Sequence, residues 1–365
     1  MTPLNRTTIQ WLTLWLLGLV GTAASAAPAS DTPTTAPTGE RVAEVISVYS
    51  PLAEQREFAR RAMLPSTFDR LTRFEAAGKA ELKPYVLDLS KELLDAYIPK
   101  HRPPNGYGVF VFIPPTPEWR VPKSYVATLE ARGIIWVAAR KSGNQQNVYD
   151  RRMPLALHAL AWVAAHYPVD PTRRYISGFS GGGRVAQRVA LAYPDVFSGA
   201  MLIAGSDPFN ENATVIPPAD LFQQFQRHMR IAYVTGANDL VNRAHDQRTR
   251  ASMQAYCVSH LFKHVQSRTE HWIPSGRGFA RALADIDSVS ATPSDQLACE
   301  AALNASVAAS KAAIRQLIDT HQDHRAGEAL AALEDRFGGL AAPESVLWAR
   351  ELAARLTAEA GGNRQ

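Results

Sequence analysis

Between residues 85 and 286 short apolar runs alternate with stretches of helical length and spacing, and few architectures accept that alternation. The runs cover residues 85–89, 93–98, 109–113, 134–138, 175–177, 200–203, 231–235 and 265–267. Several are apolar throughout instead of every second residue, the pattern of strands covered on both faces. The helix-like stretches cover 123–132, 152–166, 183–193, 219–229, 243–262 and 278–286. Together they predict an α/β domain with a mostly parallel sheet and helices on both faces. Right-handed crossovers then bring the strand C-termini to one edge, where ligands bind in such sheets. From residue 293 the strands stop. Residues 296–320, 325–337 and 344–360 are rich in Ala and Leu at helical spacing, broken by Gly338-Gly339, with a helix start at Ala342-Pro343-Glu344. Residues 293–365 are therefore expected to form a helical extension of two or three helices.

The N-terminus belongs to neither part. Arg6 precedes an apolar run over residues 11–20, and Ala24-Ser25-Ala26 is an A-x-A cleavage pattern, so residues 1–26 read as an export signal. The run is half the length a membrane span needs, so no stable span is expected after cleavage. Residues 27–41, rich in Pro, Thr and Ala, read as a disordered linker. The α/β domain is then 42–292, with a polar, helix-like lead-in to about residue 84. The expected location is the periplasm or the extracellular space. An oxidising compartment would let the two cysteines, Cys257 and Cys299, pair and pin the C-terminal extension to the domain. The net charge is +5, spread along the chain instead of gathered in one segment, so a nucleic-acid partner is not expected.

The chemistry concentrates at Gly178-Phe179-Ser180-Gly181-Gly182, a G-x-S-x-G between an apolar run and a helix. A nucleophile at such a strand-to-helix elbow sits in strained backbone, with glycines two residues before and after it keeping Cβ atoms out of the turn. The elbow presents the Ser180 hydroxyl above the sheet edge and aims the Gly181 N–H, at a helix N-terminus, where an oxyanion develops. A phosphate loop is excluded because no Gly-Lys-Ser/Thr follows. The acid and then the base should follow the nucleophile on later strand-end loops. Asp239 stands just past the run 231–235 and His271 just past 265–267. Asp207, one run earlier, is the alternative acid, and an Asp at position 239 equally suits a helix cap or a turn. No H-E-x-x-H or comparable spacing occurs, and neither a metal nor another cofactor is expected.

Ile176 to Gly183, preceded by Val169-Asp170-Pro171-Thr172-Arg173 and followed by Tyr193-Pro194-Asp195-Val196-Phe197, resembles exported α/β-hydrolases of the polyhydroxyalkanoate-depolymerase and feruloyl-esterase-like kind. His271-Trp272-Ile273-Pro274, with Phe279 and Ala282-Leu283 behind it, is similar to that family's histidine followed by a helix. The resemblance covers residues 85–286. It implies a Ser180, Asp239, His271 triad and hydrolysis through an acyl-enzyme. The sequence departs from many lipases where Pro114-Pro115-Thr116-Pro117 replaces a His-Gly-Gly oxyanion motif. Proline has no N–H, which leaves Thr116 or a later residue as second oxyanion donor. No polymer-binding module is recognisable, so the expected substrate is a small or oligomeric ester. Two other readings stay open: a serine peptidase with the same triad, and a non-catalytic binding protein using the C-terminal helices. Oligomeric state is not legible in the sequence.

Overall fold

The computed structural model describes residues 37–79, 87–212, 214–288 and 293–362. In chain order the elements are β1 (Gly39–Val45), α1 (Gln55–Ala62), α2 (Pro65–Ala76), β2 (Leu93–Ile98), β3 (Tyr107–Ile113), α3 (Val126–Arg132), β4 (Ile134–Ala139), α4 (Met153–His166), β5 (Val169–Phe179), α5 (Gly181–Ala192) and β6 (Gly199–Ile203). They continue through α6 (Ala219–His228), β7 (Arg230–Gly236), α7 (Leu240–Ala255), β8 (Leu261–Gln266), α8 (Gly276–Ile286), α9 (Gln296–Asp319), α10 (Asp323–Phe337) and α11 (Glu344–Gly362). The described strands form one sheet in the order β1-β2-β4-β3-β5-β6-β7-β8. β2 runs antiparallel to both β1 and β4, and every pairing from β4 onward is parallel. This is the α/β-hydrolase fold.

The continuous apolar runs become central strands because both faces are covered. In β3, Val109, Val111 and Ile113 share one core with Leu155, Ala159 and Val163 of α4 and Val185 and Val189 of α5. Phe110 and Phe112 point the other way, into a second core with Leu129 of α3 and Phe279, Ala282 and Leu283 of α8. Phe110 meets Phe279 edge-on at 5.4 Å between ring centroids. Full burial of each such side chain contributes about 1.5–3 kcal/mol, so the two cores fix both the sheet and the helices above and below it.

The structure departs from the sequence reading at the margins. β1 takes in residues 39–41, which were assigned to the linker, and 42–45, which read as helix-like. As an edge strand it is held by backbone pairing to β2 and by the Ala43 N–H donating to Asp95 Oδ1 (2.9 Å), so its side chains carry no strand signature. The run 85–89 is not a described strand: residues 85 and 86 lie outside the described residues, and Leu89 opens a 3-10 turn. The helix expected over 243–262 is α7, which stops at Ala255 where Cys257 takes a positive φ of 61°. Leu261 and Phe262 open β8 instead. The signal and most of the linker lie outside the described residues, and no described helix is long and apolar enough to cross a membrane.

The C-terminal extension is three helices, α9 to α11, around their own core of Leu303, Val307, Ile314, Leu330, Leu333, Phe337 and Trp348. A disulfide joins Cys299 of α9 to Cys257 beyond α7, with Cα atoms 5.8 Å apart. The Tyr256 hydroxyl donates to the Arg336 carbonyl (2.5 Å), and the Gly339 N–H donates to Ile216 O (2.8 Å). The extension is thereby tied to the segment after α7 and to the loop between β6 and α6.

Candidate active site

Ser180 separates β5 from α5 with φ 57° and ψ −121°, a conformation that L-residues adopt only under constraint. Its N–H donates to Ile203 O (2.8 Å), and its carbonyl accepts from Gly183 N (3.0 Å), so the bend is held from both sides. Gly182 is required by a close approach: a Cβ there would lie 2.0 Å from the Ile113 carbonyl oxygen. Gly205, on the loop after β6, is required in the same way, because its Cβ would lie 1.9 Å from the Ser180 carbonyl oxygen. Gly181 opens α5, so its N–H has no acceptor within the helix and points with the helix N-terminus.

Three side chains from distant parts of the chain meet at this bend. His271, on the loop between β8 and α8, has Nε2 at 2.9 Å from Ser180 Oγ. Its Nδ1 lies 2.6 Å from Asp239 Oδ2, at the C-terminal end of β7. The imidazole is open to solvent with its side chain 44% exposed, whereas the Asp239 side chain is 7% exposed. Burial alone would raise the Asp239 carboxyl, but hydrogen bonds from His271 and Asn242 outweigh it and hold the group below its ordinary value. Asp239 also caps α7 by accepting from the Asn242 N–H (3.3 Å), so the cap and the histidine partner are one residue.

The alternative acid is elsewhere. Asp207 is buried among cations and amides, bound by Arg184 Nε (3.2 Å), Arg188 (3.3 Å) and Asn212 Nδ2 (3.0 Å), and makes no contact with His271. It holds α5 to the loop after β6. The Thr116 hydroxyl donates to Glu118 O (2.9 Å), which commits it within its own loop. The prolines before it also serve as acceptors: buried Arg152 donates to Pro114 O (3.0 Å) and Ser142 O (2.8 Å), and Asn144 N donates to Pro115 O (2.8 Å). Burial, with the Arg188 charge, lowers the Arg152 pKa to about 10, so it stays a cation at neutral pH.

Several residues of the site were given no role by the sequence. A Cβ on Gly181 would lie 2.3 Å from Asn144 Oδ1, so the Asn144 amide packs directly on the residue after Ser180. Phe179 lies against His271 at 4.9 Å between ring centroids, and Trp119 and Trp272 extend this wall at 6.0 and 5.9 Å from Phe179. Trp272 is 59% exposed. Tryptophans are commonly core residues, and only the three-dimensional placement reveals an apolar wall beside the imidazole. A separate apolar cleft of about 450 Å³, lined by Phe58, Met63, Leu64, Tyr149, Pro154 and Val215 among others, includes none of the three residues at the bend.

A serine at a strand-to-helix elbow, a histidine within hydrogen-bond reach and a buried carboxylate behind it form an arrangement that serine hydrolases of the α/β-hydrolase fold use. Residues 137–279, which carry all three side chains, match the esterase family model described as "Putative esterase". No curated protein matches the chain. Similar solved structures include an S-formylglutathione hydrolase from Staphylococcus aureus, at 10% identity over 53% of this chain and 92% of that one, TM-score 0.42. The feruloyl esterase module of Clostridium thermocellum is similar at 16% identity over 53% and 82%, TM-score 0.39. A prolyl endopeptidase is similar at 14% identity over 53% and 35%, TM-score 0.39.

Proposed function

We propose that this chain is an exported serine esterase whose nucleophile is Ser180, whose general base is His271 and whose orienting acid is Asp239. The observation that carries the reading is the unbroken chain of contacts from Ser180 Oγ to His271 Nε2 (2.9 Å) and from His271 Nδ1 to Asp239 Oδ2 (2.6 Å). In this arrangement Nδ1 keeps its proton toward the carboxylate and Nε2 presents a lone pair to the hydroxyl. Ser180 Oγ attacks the ester carbonyl carbon as its proton passes to Nε2. The Gly181 N–H and a second donor, proposed at the Thr116 backbone, receive the oxyanion. Collapse of the tetrahedral intermediate breaks the acyl–oxygen bond, and the imidazolium returns its proton to the leaving alcohol. Water then attacks the acyl-enzyme, gives its proton to Nε2, and the acid departs as Ser180 recovers a proton.

The exposed imidazole and the Trp119–Trp272 wall suit an ester with an apolar group lying across an open site. Export is supported by the N-terminal signal pattern and agrees with the Cys257–Cys299 disulfide, since such bonds persist in oxidising compartments. The test is hydrolysis of p-nitrophenyl esters beside aminoacyl p-nitroanilides. The wild-type chain should cleave the esters preferentially, and Ser180→Ala should lose about 10⁴-fold or more in kcat while remaining folded. Anilide cleavage at equal or greater efficiency would make the protein a peptidase, and full ester turnover by Ser180→Ala would remove the serine mechanism.

A further inference from the structure

The Asp239 carboxylate makes more hydrogen bonds than the triad requires. Asn242, one turn into α7, approaches it with its side-chain amide nitrogen 3.0 Å from Oδ1 and 2.9 Å from Oδ2. The same nitrogen lies 3.1 Å from His271 Nδ1. The amide oxygen faces the opposite way, toward an Arg184 guanidinium nitrogen at 3.4 Å. Arg184 sits one turn after Ser180 on α5 and is itself held by Asp207 at 3.2 Å. A cation on the oxygen side and a carboxylate on the nitrogen side leave the amide one favourable orientation, with one amide hydrogen shared between the two Asp239 oxygens.

That orientation bears on the histidine tautomer. An amide nitrogen does not accept hydrogen bonds, so the Nδ1 proton has a single acceptor, Asp239 Oδ2. Were Asn242 to donate to Nδ1 instead, the ring proton would be displaced to Nε2, the atom that must accept from Ser180. Without the amide, Asp239 would keep only the Asn242 backbone N–H and His271, and its carboxylate could rotate about its last torsion.

We propose that Asn242 is a positioning residue of the triad, locking the Asp239 carboxylate in the plane that fixes the His271 tautomer. The proposal rests on the esterase reading above. It assigns Arg184 and Asp207 the part of holding the Asn242 amide. A misplacement of about 1 Å in such a constellation costs up to about 10²-fold in rate.

The experiment compares wild type, Asn242→Ala, Asn242→Asp and Asp239→Asn on one p-nitrophenyl ester, with folding checked by circular dichroism and urea denaturation. Asn242→Ala keeps the backbone cap of α7 and should lower kcat about 10- to 100-fold with KM unchanged. Its downfield His271 Nδ1 proton resonance, visible in wild type by NMR, should broaden or move. Asn242→Asp sets a second carboxylate against Asp239 and should lose at least as much. An Asn242→Ala protein with wild-type kcat and an unmoved Nδ1 resonance overturns the proposal, as does a loss confined to KM. If Asp239→Asn itself retains wild-type kcat, the failure lies with the triad reading. If Asp239→Asn is inactive while Asn242→Ala is not, only the positioning role fails. Should Asn242→Ala unfold, Asn242→Asp, which preserves size and helix N-terminal preference, carries the same test.

Discussion

The bend at Ser180, the proposed nucleophile, depends on the backbone packed around it. Gly205 is the plainest case: its α-hydrogen faces the Ser180 carbonyl so closely that any side chain would displace the elbow. Gly205→Ala should destabilise the fold by roughly 3 kcal/mol or more, or leave a folded but inactive chain, in urea denaturation and ester turnover. Gly327 in α10 is the control, since a Cβ there meets nothing within 4 Å. Gly327→Ala should stabilise by about 0.5–1 kcal/mol with activity unchanged. Equal effects of the two substitutions would contradict the packing argument. At this scale the sequence singled out Ser180, because G-x-S-x-G answers to one bend, and Asp239 and His271 through their places after apolar runs, and the structure brings these three side chains together. The sequence did not carry Asn144, Asn242 or Arg152, whose contacts with Gly181, His271 and Pro114 span 29 to 38 residues and leave no local pattern.

At the scale of elements, legibility followed burial. β3, β4, β6 and β7 are enclosed on both faces, and their sequences are continuous apolar runs. β1 and β8 are the two edges of the sheet, where solvent takes one or both faces and pairing is through the backbone, so their composition misleads. Among the contacts that anchor the segment after β1 is a buried one: the Ser50 N–H donates to His158 Nδ1 of α4 (3.0 Å). Burial lowers the His158 pKa from 6.5 to about 4, which keeps Nδ1 an acceptor at neutral pH. Between those values the unfolded chain binds a proton that the native protein does not, so acidification removes stability across this window and none from this group below it. Urea denaturation from pH 7 to pH 4 should show that loss, and His158→Gln should flatten it. An unchanged pH slope in His158→Gln would assign the loss to other groups.

At the scale of the whole molecule, the sheet brings a serine from β5, a carboxylate from β7 and an imidazole from beyond β8 to a single edge. The helical extension is clamped to the same body by the Cys257–Cys299 bond and by the Arg336 and Gly339 contacts. The sequence indicated the alternation of elements and the three helices after residue 293, whereas strand order and the clamp are long-range pairings that no local pattern encodes. The central claim concerns one oxygen atom, made nucleophilic by a ring 91 residues further along the chain. A fluorophosphonate reacts with such an activated serine and with little else, so intact-mass analysis with peptide mapping reads the claim directly. The account predicts one adduct per chain, located on Ser180, absent from Ser180→Ala and strongly slowed in a His271→Ala variant. A wild-type chain that takes up no label while folded, or carries it on a different residue, would contradict it.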